Sequence, residues 1–112
     1  MDKDKAAILQ GTLDLLVLKT VETMGPLHGW AIAKRIELVS QDLLELKYGT
    51  LYPALIRLEQ SGWISSEWGT SENNRRARFY SITKQGRKQL TREAENWEQM
   101  AAFIARVLGT SR

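Results

Sequence analysis

The sequence predicts a mainly α-helical fold with one small β-hairpin, and three observations support this fold class. Four segments repeat apolar residues at spacings of three and four, as the buried face of a helix requires. Two short runs rich in aromatic and β-branched residues flank a polar, turn-rich segment, which is typical of a hairpin. The length of 112 residues, with 43% hydrophobic and 26% charged residues, corresponds to one globular domain with an appended helix.

The first two helices are predicted over 12–24 and 29–40. Each has an apolar stripe, formed by Leu13, Leu16, Val17, Val21 and Met24 in the first helix and by Ile32, Ile36 and Val39 in the second. The Thr12 hydroxyl is expected to cap the first helix. Gly25-Pro26 separates the two helices, because glycine permits a left-handed exit and proline cannot continue a helix.

The third helix is marked by Pro53, which a helix tolerates in its first turn, where the missing N–H has no intrahelical partner. We therefore expect this helix to start near Gly49-Thr50 and to end at Ser61-Gly62. Its apolar stripe consists of Leu51, Leu55 and Leu58. The same geometry turns four residues outward, namely Thr50, Pro53, Arg57 and Gln60.

The rest of the chain predicts a hairpin followed by a long helix. Strands over 63–68 and 77–82 flank a loop with a basic tip, and Thr83 is expected to cap a helix over about 84–108. The heptad seam of this helix consists of Leu90, Ala94, Trp97, Ala101, Ile104 and Leu108. A second apolar stripe beside it makes the face wider than a small domain can cover, so we predict that this helix dimerises.

The distribution of charge favours a nucleic-acid partner. Residues 72–92 contain seven basic side chains and one acidic side chain, a net charge of +6, whereas the whole chain has a net charge of +3. The remainder of the chain is therefore net negative. A concentrated basic stretch on a slightly acidic body is typical of nucleic-acid binding, and a solvated basic face is the alternative.

Several functional classes are excluded by composition. The chain has no cysteine and one histidine, so thiol catalysis, Fe–S clusters and multi-histidine metal sites are excluded, and no metal or cofactor is expected. No spacing of serines and carboxylates singles out a catalytic site, so we do not expect an enzyme. Without a long apolar run or a signal-peptide core, the sequence predicts a cytoplasmic protein with no membrane partner.

The order of helix, helix, helix, hairpin and long helix is that of a winged helix-turn-helix domain. In this arrangement the third helix enters the DNA major groove, and the hairpin, or wing, reaches the flanking backbone or minor groove. We therefore predict a winged helix-turn-helix DNA-binding domain over 1–83 and a C-terminal dimerisation helix over 84–112.

Four stretches of the sequence resemble the PadR family of transcriptional regulators, in its short subclass. They are Leu9-Gln10-Gly11-Thr12-Leu13-Asp14, Gly25-Pro26-Leu27-His28-Gly29-Trp30, Tyr48-Gly49-Thr50-Leu51-Tyr52-Pro53-Ala54-Leu55 and Arg75-Arg76-Ala77-Arg78-Phe79-Tyr80-Ser81-Ile82-Thr83. Family members often have tyrosine in place of Trp30. The resemblance implies a homodimeric repressor whose C-terminal helix packs on the N-terminal and C-terminal helices of its partner. Some short members bind aromatic drugs at the dimer interface, which makes a small aromatic effector a candidate partner.

The third helix supplies most of the candidate DNA-binding residues. The hydroxyls of Thr50 and Tyr52 suit bases or phosphates, and Pro53 suits a thymine methyl group. The alternative is a plain helix start with a buried core tyrosine. Tyr48, just before the predicted helix start, is a further candidate. Arg57, one turn along, would clamp guanine or phosphate, and its alternative is an ion pair with an acid elsewhere in the fold.

Other candidate DNA contacts lie outside the third helix. Lys34 and Lys47 are candidate phosphate contacts, and Asn74, Arg75 and Arg76 belong to the wing, where arginine suits a narrow minor groove. Arg78 follows them along the strand, and its alternative is an ion pair with an acid on the adjacent strand. We expect an operator with inverted repeats, read by two third helices about 34 Å apart in successive major grooves.

Four other residues have competing interpretations. Trp97 lies in the middle of the heptad seam, where it is either dimer-core packing or the wall of an effector pocket. Trp63 and Trp68 flank the hairpin and are expected to be structural, and His28 is expected to cap a turn. Two rival functions remain: a winged-helix module that binds protein without salt-dependent DNA affinity, and a small-molecule-binding dimer built around Trp97.

Overall fold

The computed structural model describes residues 2–41 and 43–109, and it describes side chains of the first helix from residue 12 onward. The last three residues of the predicted dimerisation segment lie outside this part of the chain. The elements follow in the order α1 (Asp2–Met24), β1 (Leu27–His28), α2 (Gly29–Val39), α3 (Tyr48–Gln60), β2 (Ile64–Thr70), β3 (Arg76–Ile82) and α4 (Lys84–Leu108). This is the mainly α-helical winged-helix arrangement that the sequence predicts.

The hydrophobic core forms where α1, α2 and α3 meet the sheet. Its fully buried side chains include Leu13, Val17, Leu18, Val21, Ile32, Leu51, Leu55, Leu58 and Ile64. The leucine stripe predicted for α3 is thus confirmed. Met24 and Val39 are exposed, because they lie in the last turns of α1 and α2, beyond the reach of the core.

α1 begins earlier than predicted. Thr12 lies inside this helix, so its interpretation as the N-cap is wrong. The preceding segment is rich in good helix formers such as alanine, leucine and lysine, and a single Gly11 costs only about 1 kcal/mol in a helix interior. That cost is too small to end a helix whose later turns pack into the core.

α3 also begins slightly earlier than predicted, at Tyr48, with Lys47 in the N-cap position. Pro53 therefore lies in the second turn of the helix and not in the first. It has no N–H to donate to the carbonyl of Gly49, but both residues are exposed, so water can solvate this carbonyl. Ser61 ends the helix as predicted, and Gly62 follows it with a φ of 80°.

The sheet contains a strand that the sequence did not reveal. β1 pairs with β3 through Leu27 opposite Tyr80 and His28 opposite Phe79, and β3 pairs with β2, so the strand order is β1–β3–β2. Two residues are too few for a period-2 pattern to be recognised. The β2–β3 hairpin of the prediction is confirmed.

α4 starts as predicted and is anchored at its first turn. The Thr83 hydroxyl accepts a hydrogen bond from the N–H of Gly86 at 3.0 Å and donates one to the carbonyl of Gly62 at 2.7 Å. The buried residues of this helix are Gly86 and Leu90, so among the described residues no side chain beyond Leu90 is fully buried. None of the described helices is apolar over a length that would cross a membrane.

Candidate nucleic-acid interface

The first turns of α3 present two aromatic side chains on the surface. Tyr48 and Tyr52 are 50% and 43% exposed, and their ring centroids lie 5.3 Å apart. Pro53 is exposed beside them and Thr50 is half-buried. The four candidate residues of this helix end therefore share one region, and Tyr52 is not the buried core tyrosine that was the alternative.

The hydroxyl of Tyr48 is held in its protonated form. Partial burial raises the pKa of Tyr48 above its ordinary value, and neighbouring Tyr52 contributes in the same direction. At neutral pH this phenol remains a hydrogen-bond donor, as a contact to a phosphate oxygen requires.

The wing brings basic side chains beside α3. Its turn is closed by a hydrogen bond from the N–H of Ser71 to the carbonyl of Arg75 at 2.8 Å. Asn74 has a φ of 61°, a left-handed conformation that asparagine tolerates better than most residues. Asn74, Arg75 and Arg76 are all exposed at this end of the wing.

A cleft of about 590 Å³ separates α3 and the N-terminus of α2 from the wing. Its lining includes His28, Trp30, Tyr48, Tyr52, Trp68 and Arg76. Three cations stack on its aromatic rings: the Nζ of Lys34 lies 5.3 Å from the Trp30 ring centroid, and the Cζ atoms of Arg76 and Arg78 lie 4.5 and 5.0 Å from that of Trp68. Tyrosine donors and guanidinium cations thus line one cleft, a combination suited to a phosphate group.

The two candidate lysines lie on the other side of Tyr48. Lys34 and Lys47 line a shallow pocket together with Trp30 and Tyr48. Both side chains are exposed. Two glutamates also line this pocket, so the lysines lie in a region of mixed charge and their contact with phosphate stays a prediction.

Arg57 contacts α1 and not the residues of the cleft. Its guanidinium forms an ion pair with the carboxylate of Asp14 in α1. This is the alternative that the sequence left open, an acid elsewhere in the fold. The Arg57 side chain remains 54% exposed, so its contact with DNA stays a prediction that must compete with this ion pair.

Arg78 is held by neighbours on two elements. Its Nε donates a hydrogen bond to the Ser66 hydroxyl at 3.0 Å, and its Nη2 lies 3.8 Å from a carboxylate oxygen of Glu59. The alternative that the sequence left open for Arg78 was an ion pair with an acid on the adjacent strand, but Glu59 belongs to α3. The residue opposite Arg78 on β2 is Trp68, and the strand's acid, Glu67, alternates to the other face.

His28 and Trp68 line the cleft, although only structural roles were predicted for them from the sequence. The Nδ1 of His28 accepts a hydrogen bond from the N–H of Ala31 at 3.3 Å, so its predicted capping role is confirmed. Trp68 faces Arg78 across the hairpin. In the sequence, the alternation of Arg76 and Arg78 indicated that both arginines lie on one face of the strand. Their contact with Trp68 could not be predicted, because it depends on the register of the hairpin.

The predicted dimerisation seam is partly exposed in the single chain. Trp97, Ile104 and Leu108 are exposed, whereas Ala94 and Ala101 are half-buried. Leu90 packs into the core of its own domain, so the part of the seam that a second chain could reach begins at Ala94. Met100, Phe103 and Val107 widen this exposed apolar face.

Comparison with known proteins places these features among DNA-binding regulators. Residues 17–92, which include α3 and the wing, match the family described as transcriptional regulator PadR-like. A transcriptional regulator from Clostridium thermocellum is 32% identical, with 89% of this chain and 93% of that chain covered and a TM-score of 0.79. A PadR family regulator from Eggerthella lenta is 26% identical over 98% and 96% of the two chains, with a TM-score of 0.77. At 20% identity, a PadR-like regulator from Bacillus cereus shares the fold, with a TM-score of 0.78 over 91% and 96%.

Proposed function

The chain belongs to the transcriptional regulator PadR-like family, and from this premise we propose that it is a homodimeric repressor that binds an operator with inverted repeats. In this function the start of α3 enters the major groove, and the wing contacts the flanking backbone or minor groove. Repression follows from exclusion of the polymerase from the promoter. A helix N-terminus also favours contact with phosphate, because its N–H groups and dipole attract anions.

The observation that carries this proposal is the cleft between α3 and the wing. It joins exposed Tyr48 and Tyr52 to the cations of the wing. Three cations also lie over exposed aromatic rings in this region, where they are available to a phosphate backbone. Thr50 and Pro53 supply the candidate base contacts, and Lys34, Lys47, Asn74, Arg75 and Arg76 supply the candidate backbone contacts.

The exposed apolar face of α4 supports the dimer. Such a face costs free energy in water, and a second copy of the chain would bury it. A dimer with a two-fold axis presents two α3 helices, which is why the proposed operator is an inverted repeat. We assign Trp97 to packing at this interface, with its role as the wall of a pocket for an aromatic effector as the alternative.

The test is fluorescence anisotropy of the purified protein on a labelled duplex from its own upstream region, with a scrambled duplex beside it. We expect tighter binding to the native duplex and an affinity that falls steeply as salt rises, because phosphate contacts release counterions. Equal and weak binding to both duplexes would contradict the proposal.

The same samples distinguish the rival functions. A protein-interaction module would show no salt-dependent DNA affinity. A small-molecule-binding dimer without an operator would show quenching of tryptophan fluorescence by aromatic ligands and no preference for the native duplex. A repressor with an effector would show both operator binding and its release by the ligand.

A further inference from the structure

Trp68 is a large aromatic residue that contributes little to the hydrophobic core. Its side chain is 55% exposed, although it lies in the middle of a hairpin. Its cross-strand partner is Arg78, and Arg76 lies two residues away along β3 on the same face of the sheet. The indole therefore does not serve the fold by burial, and two guanidinium groups cover it instead.

We propose that Trp68 is a positioning residue of the DNA interface, which holds Arg76 and Arg78 on the side of the wing that faces α3. In this arrangement Arg76 binds a backbone phosphate across the cleft from Tyr48 and Tyr52. The inference rests on the proposed DNA-binding function, and it assigns to Trp68 a role in affinity that is separate from stability of the fold.

The two arginines have different parts in this arrangement. Arg78 is already committed, because Ser66 and Glu59 hold its guanidinium and Ser66 in turn donates a hydrogen bond to Glu59 at 2.7 Å. Within the described residues, Arg76 has no ion pair, and its guanidinium makes a cation–π contact with the Trp68 ring. A guanidinium stacked on a ring keeps its N–H edge available, so Arg76 can still donate to a phosphate.

Stacking favours binding because it lowers an entropic cost. A free arginine side chain loses much rotamer entropy when it binds, and stacking on Trp68 restricts it before the DNA arrives. Glu59 lies beside the guanidinium of Arg78 and offsets its charge, so Arg76 is the arginine of the two that would pair with a phosphate.

The test compares two substitutions of Trp68 by anisotropy on the native duplex. Trp68→Phe keeps an aromatic face, whereas Trp68→Leu keeps an apolar side chain and removes that face. We expect Trp68→Leu to bind about tenfold more weakly and Trp68→Phe to bind within about threefold of the unmodified protein, because cation–π attraction requires the ring. Both variants should keep the melting temperature, since the side chain is exposed.

A double-mutant cycle with Arg76 identifies the cation involved. Arg76→Ala should cost less affinity in the Trp68→Leu background than in the unmodified protein, because stacking has already been lost there. Additive losses would overturn the inference, as would equal affinities of the Leu and Phe variants. If both Trp68 variants lost affinity and also melted at a lower temperature, the role of Trp68 would be structural, and the inference would again be overturned.

A measurement without DNA separates this inference from the proposed function. In the free protein the side-chain protons of Arg76 should show upfield NMR shifts from the indole ring current, and Trp68→Leu should abolish them. Absence of these shifts overturns the positioning role. If the unmodified protein prefers the native duplex but Trp68→Leu binds it equally well, the inference fails and the DNA-binding function stands. If the unmodified protein binds no DNA, both fail.

Discussion

Individual side chains of the wing differ in how firmly the protein holds them. Arg75 lies at the turn, where Ser71 holds its backbone, and no contact of its side chain is found among the described residues. Arg76 is stacked on Trp68, and Arg78 is both stacked and hydrogen-bonded. The number of contacts that hold a wing arginine thus increases from the turn inward.

At this scale the first prediction concerns salt. Replacement of both Arg75 and Arg76 by alanine should reduce the slope of log affinity against log salt by about 1 to 2, because each phosphate contact contributes about 0.9 to the slope. Anisotropy titrations at several salt concentrations measure it. Arg106→Ala, which removes a cation from the last turn of α4, is the matched control and should leave the slope unchanged. An unchanged slope in the double variant would remove the wing arginines from the contact set.

The second prediction concerns alkaline pH. Burial raises the pKa of Tyr80, and the neighbouring tyrosine and glutamate side chains raise it further, so the folded protein retains this proton more tightly than the unfolded chain does. Its contribution to stability is therefore complete below about pH 10 and is lost as pH rises through the folded-state pKa. Denaturant unfolding between pH 9 and 11 should show a smaller decline for Tyr80→Phe than for the unmodified protein. Parallel declines would contradict this.

At the scale of elements, the junction of the wing and α4 is the most tightly constrained. Thr83 caps α4, bonds the end of α3 through the carbonyl of Gly62, and pairs its own N–H with the carbonyl of Trp63 at 3.0 Å. Gly86 is buried there, and a Cβ atom at this position would lie 1.9 Å from the Trp63 carbonyl oxygen. This close approach sets the direction in which α4 leaves the domain.

Two glycine substitutions should therefore have opposite effects on stability. Gly86→Ala forces the backbone apart and should destabilise the protein by about 1 to 3 kcal/mol or more. Gly49→Ala is the matched control, because nothing lies within 4 Å of its Cβ position in α3 and alanine favours a helix by about 0.5 to 1 kcal/mol. Urea unfolding of both variants measures the difference. A neutral Gly86→Ala would mean that α4 can shift its first turn freely.

At the scale of the whole molecule, α4 is much longer than the part of it that packs against its own domain. Its 25 residues span about 38 Å, yet its buried residues lie in the first two turns. The rest presents Trp97, Phe103 and Ile104 to solvent. The proposed function therefore includes a second copy of the chain that would cover this face.

The corresponding prediction is a change of oligomeric state. Ile104→Glu should convert a dimer into a monomer, because it places a carboxylate in the apolar face that the second chain would cover. Ala102→Glu, on the opposite side of the same helix, should leave the dimer intact. Light scattering after size-exclusion chromatography measures both masses. A monomeric unmodified protein, or an Ile104→Glu variant that stays dimeric, would contradict the assignment of this interface.

Local patterns in the sequence were sufficient to determine most of the elements. The leucine spacing in α3, the Thr83 cap, the end of α1 at Gly25-Pro26 and the basic hairpin tip all depend on neighbours within a few residues, so each could be predicted. The start of α1 could not, because tertiary packing outweighs the small penalty of one glycine. The exposed seam of α4 was likewise evident from its heptad spacing alone.

Only the tertiary structure decided which distant residues meet. The ion pair of Arg57 with Asp14 joins α3 to α1, and the contact of Arg78 with Glu59 joins the wing to α3. The register of the hairpin places Arg78 opposite Trp68. A register shift of one residue would have turned the arginines to the other face of the sheet. The physical reason is that periodicity specifies which side of an element faces inward, whereas the partner across a cleft depends on how whole elements pack.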